Sequence, residues 1–290
     1  MLEKNKAIIE GAARVAADTS AGAVIIAAAL TEERELLRNA LDDDVRVLSA
    51  IGADQQVAED GELLVLPEVR LRRRGRAKIA LLEALAAGYL EPGQRVVVVS
   101  GNESAAGHEL DTIAVIELDD EEDFLDGEAD APLSILREVA DPAAFDALLN
   151  LCVELGRGGR EGRQVGMLVT LGDHEAVMNL SQPLVLNPFE GHAEDHRNIM
   201  SVAARRALIE FSGMDGAFVL RSDGVIVAGG RYLQDHAPEQ SVPSGLGARH
   251  QAAAAISKST RCIAFAVSES TGDTRVFGGG RLLMTIEKND

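Results

Sequence analysis

Residues 211–231 read FSGMDGAFVLRSDGVIVAGGR, and this stretch sets the architecture of the second half of the chain. Apolar runs flank Ser222-Asp223-Gly224, and Asp-Gly between two alternating runs marks a β-hairpin. The carboxylate of Asp215 stands at the mouth of the first run. A short distance on, GLGARHQAAAAIS (Gly245 to Ser257) places a glycine-rich turn and the pair Arg249-His250 at the start of a helical pattern. A carboxylate near cationic donors and bare backbone amides is what phosphate chemistry with a metal ion needs.

Outward from this stretch, residues 133–290 read as one domain. Helical text, LSILREVADPAAFDALLNLCVELG, opens it, and GRGGREGRQ turns into the strand Gln164 to Gly172. PLVLNPF, the helix HRNIMSVAARRALIEFSG, the hairpin, the helix ARHQAAAAIS, the strand RCIAFAVSE and the closing VFGGGRLLMTI follow, with Gly278 to Gly280 as a turn. Such a series predicts a mixed β-sheet with antiparallel hairpins, flanked by helices.

Residues 1–118 alternate differently. Gly22 to Leu30, Val45 to Ile51, Gly61 to Pro67, Gln94 to Gly101 and Thr112 to Leu118 are short apolar runs rich in β-branched residues. Helical patterns such as TEERELLRNAL and AKIALLEALAAGYL separate several of them. Continuous apolar strands between helices predict a three-layer α/β domain with a mainly parallel sheet covered on both faces. Residues 119–132, within LDDEEDFLDGEADAP, have little to bury and read as an acidic linker.

The chain has 290 residues, 46% of them apolar, which is ample for two buried cores. Its formal charge of −19 argues against nucleic acid bound on a general basic surface. The cluster Arg70 to Lys78 reads instead as the solvated start of a helix. Lysine is nearly absent while arginine and acids abound, a surface suited to a high-salt cytoplasm. Without an apolar run long enough to cross a bilayer, the expectation is a cytoplasmic protein with no membrane partner. Cys152 and Cys262 lie in apolar runs and read as buried reduced thiols.

Both halves resemble known families. ARVAADTSAGAVIIAA and GQRVVVVSGNESAAGHELDTIAVIEL are similar to the C-terminal domain of pyruvate kinase, a regulatory or assembly part without the kinase chemistry. From about residue 133, the chain resembles the diadenylate cyclase domain: Asp215-Gly216-Ala217 match its Asp-Gly-Ala motif and Arg249-His250 its Arg-His-Arg. The spacing to Val267-Ser268-Glu269 also fits, and the pair of domains resembles the archaeal form of the enzyme. The resemblance implies that two ATP become cyclic di-AMP and two pyrophosphates, with Mn²⁺ or Mg²⁺. It also implies a second messenger linked to osmotic control. Gln251 departs from the family's second arginine, and a neutral amide replaces a charged fork. That departure motivates the alternative of a degenerate module that senses ATP or cyclic di-AMP without turnover.

On this resemblance Asp215, Arg249 and His250 are the catalytic candidates, and Asp215, Glu269 and His250 the metal candidates. Gly216, Ala217, Leu246, Gly247, Arg249, Gln251 and Ser268 are expected to bind ATP. Asp215 before glycine is in other settings a turn or cap, and Glu269 a plain strand-end acid. Asp173-His174-Glu175 and the segment His192 to His196 look like metal boxes but read better as polar helix starts. One domain offers one ATP site and the cyclic product needs two attacks. The expectation is therefore a homo-oligomer with face-to-face sites.

Overall fold

A computed structural model of the protein describes residues 3–28, 30–52, 63–66, 73–91, 93–104, 107–118, 139–160, 162–234 and 247–288. The chain divides into two compact units, residues 1–124 and 125–290. The acidic stretch expected as a linker lies outside the described residues.

In the first unit the order is α1 (Glu3–Thr19), β1 (Ala23–Ile26), α2 (Thr31–Ala40), β2 (Arg46–Gly52), β3 (Leu63–Leu66), α3 (Arg73–Ala86), β4 (Arg95–Ser104) and β5 (Gly107–Glu117). They form a sheet in the order β3-β2-β1-β4-β5. β1 runs parallel to β2 and β4, β2 parallel to β3, and β5 closes the edge antiparallel to β4. All four residues of β1 are buried, as a parallel strand with both faces covered requires. Val24, Ile26, Val97 and Val99 pack with α1 and α2 on one face. Strand alternation turns Ile25, Val96 and Val98 to the other, and α3 contacts β3 and β4. Asn5 on α1 is buried yet satisfied: its Nδ2 donates to Glu33 Oε1 at 2.9 Å and its Oδ1 accepts from Leu110 N at 2.9 Å. Of the basic run expected to be solvated, Lys78 is buried on α3.

In the second unit come α4 (Pro142–Gly158), β6 (Met167–Leu171), α5 (His174–Asn179), β7 (Ser181–Pro183), α6 (Val202–Phe211), β8 (Ala217–Leu220) and β9 (Ile226–Leu233). α7 (Ala248–Ser259), β10 (Ile263–Val267), β11 (Thr274–Gly278) and β12 (Arg281–Ile286) complete it. The seven-stranded sheet runs β12-β11-β10-β6-β8-β9-β7. Only β6 and β8 pair in parallel, so the described sheet is mixed, as expected. α7 packs Ala253, Ala254 and Ile256 onto Ala264, Ala266, Ala217 and Val219. On α4, Phe145 meets Phe265 with ring centroids 5.3 Å apart. Asp141 caps α4 by accepting from Ala143 N and Ala144 N, with Pro142 at the first helical position. Cys152 and Cys262 are buried thiols.

One element differs from expectation. The helix read over HRNIMSVAARRALIEFSG begins late, at Val202, because Ser201 Oγ accepts from Ala204 N at 3.1 Å and caps it there. The residues before it are tied to the β8–β9 hairpin: Asn198 bridges to Val225 and donates to Asp223 O at 2.9 Å. Arg197 Nη1 donates to Ile226 O. Side chains that can bond neighbouring backbone compete with helix, and here they win.

Candidate functional site

A cleft of about 940 Å³ opens where the first residues of β8, the N-terminus of α7, the end of β10 and strand β9 converge. That volume lies in the ~300–1,000 Å³ range of small-molecule sites. Asp215, Gly216 and Ala217 contribute to its wall, as do Gly247, Arg249, His250, Ser268 and Glu269. Eight of the residues expected from sequence therefore share one cavity. Gln251 is exposed on α7 and not part of that wall, and Leu246 lies outside the described residues.

The three residues at the mouth of β8 do different things. Asp215 is exposed, and among the described residues its carboxylate has no hydrogen bond or ion pair. Gly216 has φ +96°, a conformation that disfavours any side chain. A β-carbon there would stand 2.8 Å from Arg231 N and 2.8 Å from Gly230 C. Glycine is thus required for β8 to enter against β9, which fixes the backbone that carries Asp215. Ala217 is wholly buried under α7.

At the start of α7, Gly247 takes the N-cap position with extended backbone and no side-chain cap bond. Among the described residues no side chain caps the first amides of the helix, which stand at the positive end of its dipole, where an anion is favoured. Arg249 Nη1 lies 3.0 Å from Glu269 Oε2. Gly166 leaves room for this pair, since a β-carbon there would come within 2.6 Å of Arg249 Nη1. His250 is only 6% exposed, with its ring 6.3 Å from that of Phe277. Its Nε2 lies 3.1 Å from Arg275 Nη1, and its Nδ1 is buried with no partner among the described residues. Burial, with the nearby Arg275 adding to it, lowers its pKa to about 4. Ser268 Oγ lies 3.2 Å from Ser270 Oγ and accepts from Thr271 N at 3.2 Å, at the buried base of the β10–β11 turn.

A hard divalent ion prefers carboxylate and phosphate oxygens. Asp215, with an uncommitted carboxylate, and Glu269, 64% exposed on the same wall, fit such an ion whose remaining ligands come from substrate phosphates. His250 fits less well, because a guanidinium only donates and so occupies the Nε2 lone pair. Among the described residues no group of three or more metal-type side chains gathers on its own. In the box Asp173-His174-Glu175, Asp173 accepts from Arg261 N at 2.8 Å. In the other, Glu194 holds Arg221 in a two-pronged pair, at 3.0 and 2.8 Å.

Sequence reasoning missed the apolar and cationic side of the cleft. Leu168, Leu184, Tyr232 and Leu233 line it. So does Arg231, whose guanidinium donates to Met178 O, Ser181 O and Ser181 Oγ. Burial lowers its pKa. The available signal was position: Arg231 lies across from Ala217 in the β8–β9 ladder.

Residues 154–282 match the family model described as DisA bacterial checkpoint controller nucleotide-binding, a range enclosing every cleft residue named above. Residues 4–125 match the probable sensor domain DacZ_P, and the likeness to the pyruvate kinase C-terminal domain expected from sequence is not confirmed there. Among curated relatives, a diadenylate cyclase of Methanocaldococcus jannaschii is 31% identical over 97% of this chain and 96% of its own length. A diadenylate cyclase of Haloferax volcanii is 41% identical over 51% of this chain and 54% of its own. The crystal structure of DacA from Staphylococcus aureus aligns with TM-score 0.36 and 19% identity, covering 51% of this chain and 87% of that one. No described helix is long and apolar enough to cross a membrane. With a similarity that runs nearly end to end in both chains and a cleft that gathers the motif residues, this chain belongs to the diadenylate cyclase family.

Proposed function

We propose that the chain condenses two ATP molecules into cyclic di-AMP with release of two pyrophosphates. One observation carries the reading: the Asp215 carboxylate, unpartnered among the described residues, shares a cleft with Arg249 and the start of α7, which no described side chain caps. In each half-reaction a ribose 3′-oxygen attacks the α-phosphorus of a second ATP. A new P–O bond forms, the bond from α-phosphorus to the bridging oxygen breaks, and pyrophosphate leaves with the electron pair. The hydroxyl proton passes to a base beside the ribose, the role assigned to Asp215. Arg249 and the first amides of α7 bind the triphosphate and offset the charge that grows on the leaving group. Leu168, Leu184 and Tyr232 supply an apolar wall for the adenine. Asp215 and Glu269 would hold a Mn²⁺ or Mg²⁺, which would supply Lewis acidity toward the hydroxyl and the triphosphate.

Because one cleft presents one ATP, two copies meet face to face so that each nucleotide attacks the other, and proximity supplies much of the rate. Residues 4–125 serve as a sensor that adjusts this activity, and the product acts as a cytoplasmic second messenger in osmotic adjustment. The rival is a sensor module without turnover, suggested by Gln251. Its place off the cleft wall favours the enzyme, since the neutral side chain removes no contact there. Incubation with ATP and Mn²⁺ followed by nucleotide chromatography separates the two. Cyclic di-AMP is the expected product, and unchanged ATP under every metal and salt condition would favour the sensor.

A further inference from the structure

We propose that Arg275, itself held by Asp273, is a positioning residue that locks the His250 ring with its proton on Nδ1, as a donor reserved for the nucleotide. The inference rests on the cyclase reading for its consequence but not for its geometry. Arg275 sits on β11, outside the cleft wall, with its side chain 18% exposed. Asp273 Oδ2 lies 3.5 Å from Arg275 Nη2. Asp273 is in turn fixed by Thr271 Oγ1 at 2.7 Å and by Lys288 N at 3.0 Å. From this anchored position Arg275 Nη1 reaches His250 Nε2 at 3.1 Å.

A guanidinium has five donors and no acceptor, so the contact is possible only if Nε2 offers its lone pair. In a neutral imidazole the proton must then reside on Nδ1. That Nδ1 is buried and meets no acceptor among the described residues. A buried donor without a partner is costly and uncommon, and when one occurs it calls for a reason. The reason offered by its location is a ligand: His250 forms part of the wall beside Arg249 and the start of α7, where the triphosphate would lie. The charged groups around the ring are Arg275 and Asp273 on the β11 side and Arg249 on its own helix; burial foremost, then the two cations against the opposing Asp273, keeps the imidazole neutral. Edge packing on Phe277 limits its rotation. Arg275 thus acts on the nucleotide only through His250.

The tautomer can be read directly by long-range ¹H–¹⁵N correlation on the full chain labelled at histidine. In the wild type, Nδ1 should be protonated and Nε2 should carry the shift of an unprotonated ring nitrogen. A protonated Nε2 there would overturn the proposal before any variant is made. In Arg275→Met the proton should move to Nε2, and KM for ATP should rise about tenfold, with kcat changed less than about threefold, as loss of a ground-state contact to a charged group implies. Arg275→Lys, which can still donate to Nε2, should retain the tautomer and most of the affinity. An Arg275→Met protein that melts like wild type and keeps both tautomer and KM would also overturn it. Should Arg275→Met not fold, loss of the wild-type tautomer in Arg275→Lys is the contradicting result. The spectrum is recorded without nucleotide, so absence of cyclic di-AMP beside the expected tautomer would fault the cyclase reading and leave this one standing.

Discussion

Arg249 Nη1 and Glu269 Oε2 stand 3.0 Å apart on the wall of the cleft, so the cation assigned to phosphate and an acid assigned to the metal neutralise one another. Their side chains are 34% and 64% exposed, and ion pairs of that exposure contribute only ~0–1 kcal/mol. Exchanging partners for a metal–ATP complex is therefore inexpensive. Glu269→Gln should leave the melting temperature almost unchanged while lowering turnover roughly tenfold to a hundredfold through weakened metal binding, in line with lost supporting groups at metal sites. Calorimetric melting and turnover titrated against metal concentration check this, with the loss largest at subsaturating metal; a stability loss beyond about 2 kcal/mol would mean the pair is structural.

Gly216→Ala should behave in the opposite way. With φ +96° and a backbone neighbour 2.8 Å from the new β-carbon, the substitution strains the entry of β8. A cost of about 1–3 kcal/mol in denaturant unfolding is expected, with activity falling because Asp215 is displaced. A Gly216→Ala variant as stable as wild type would show that Gly216 serves the nucleotide and not the backbone.

The His250 ring predicts the sign of one pH effect. Its native pKa is about 4, below the ordinary 6.5, so the unfolded chain binds the proton more readily than the native one. As pH falls from 6.5 toward 4 this residue subtracts stability progressively, and above 6.5 it subtracts none. Melting temperatures of the wild type across that window should fall more steeply than those of His250→Asn. Parallel curves would place the ring in water.

Net charge predicts a response to salt. A chain of formal charge −19 repels itself, and at about 1 M salt the screening length is only ~3 Å. Melting temperature and solubility should rise as KCl is raised from dilute buffer to molar concentration. A maximum in dilute buffer would contradict the reading of this composition as an adaptation to salt.

Much of this architecture was legible because the signals were local. Buried β1 announced itself as AVII within an apolar run, and the β8–β9 hairpin by Asp223-Gly224, where Gly224 has φ +85°. α7 followed from ARHQAAAAIS, and the cleft from motif residues at β8, α7 and β10. What stayed hidden depended on partners distant in sequence. Asn198 and Arg197 delay α6 by bonding the hairpin some 25 residues away. Arg231 belongs to the cleft wall only because β9 pairs with β8, and Arg275 meets His250 only because β11 lies beneath α7.

The most direct test is a quantitative product assay with ATP and Mn²⁺, comparing wild type with Asp215→Asn. Since Asp215 is exposed and makes no bond within the described protein, the variant should fold and melt as wild type does. Wild type should yield one cyclic di-AMP for every two pyrophosphates, with specific activity rising as protein concentration favours assembly. Asp215→Asn should lose about a hundredfold or more, the scale of removing a general base or metal ligand. A folded Asp215→Asn protein with undiminished output, or a wild type that releases pyrophosphate without the cyclic dinucleotide, would contradict the proposed function.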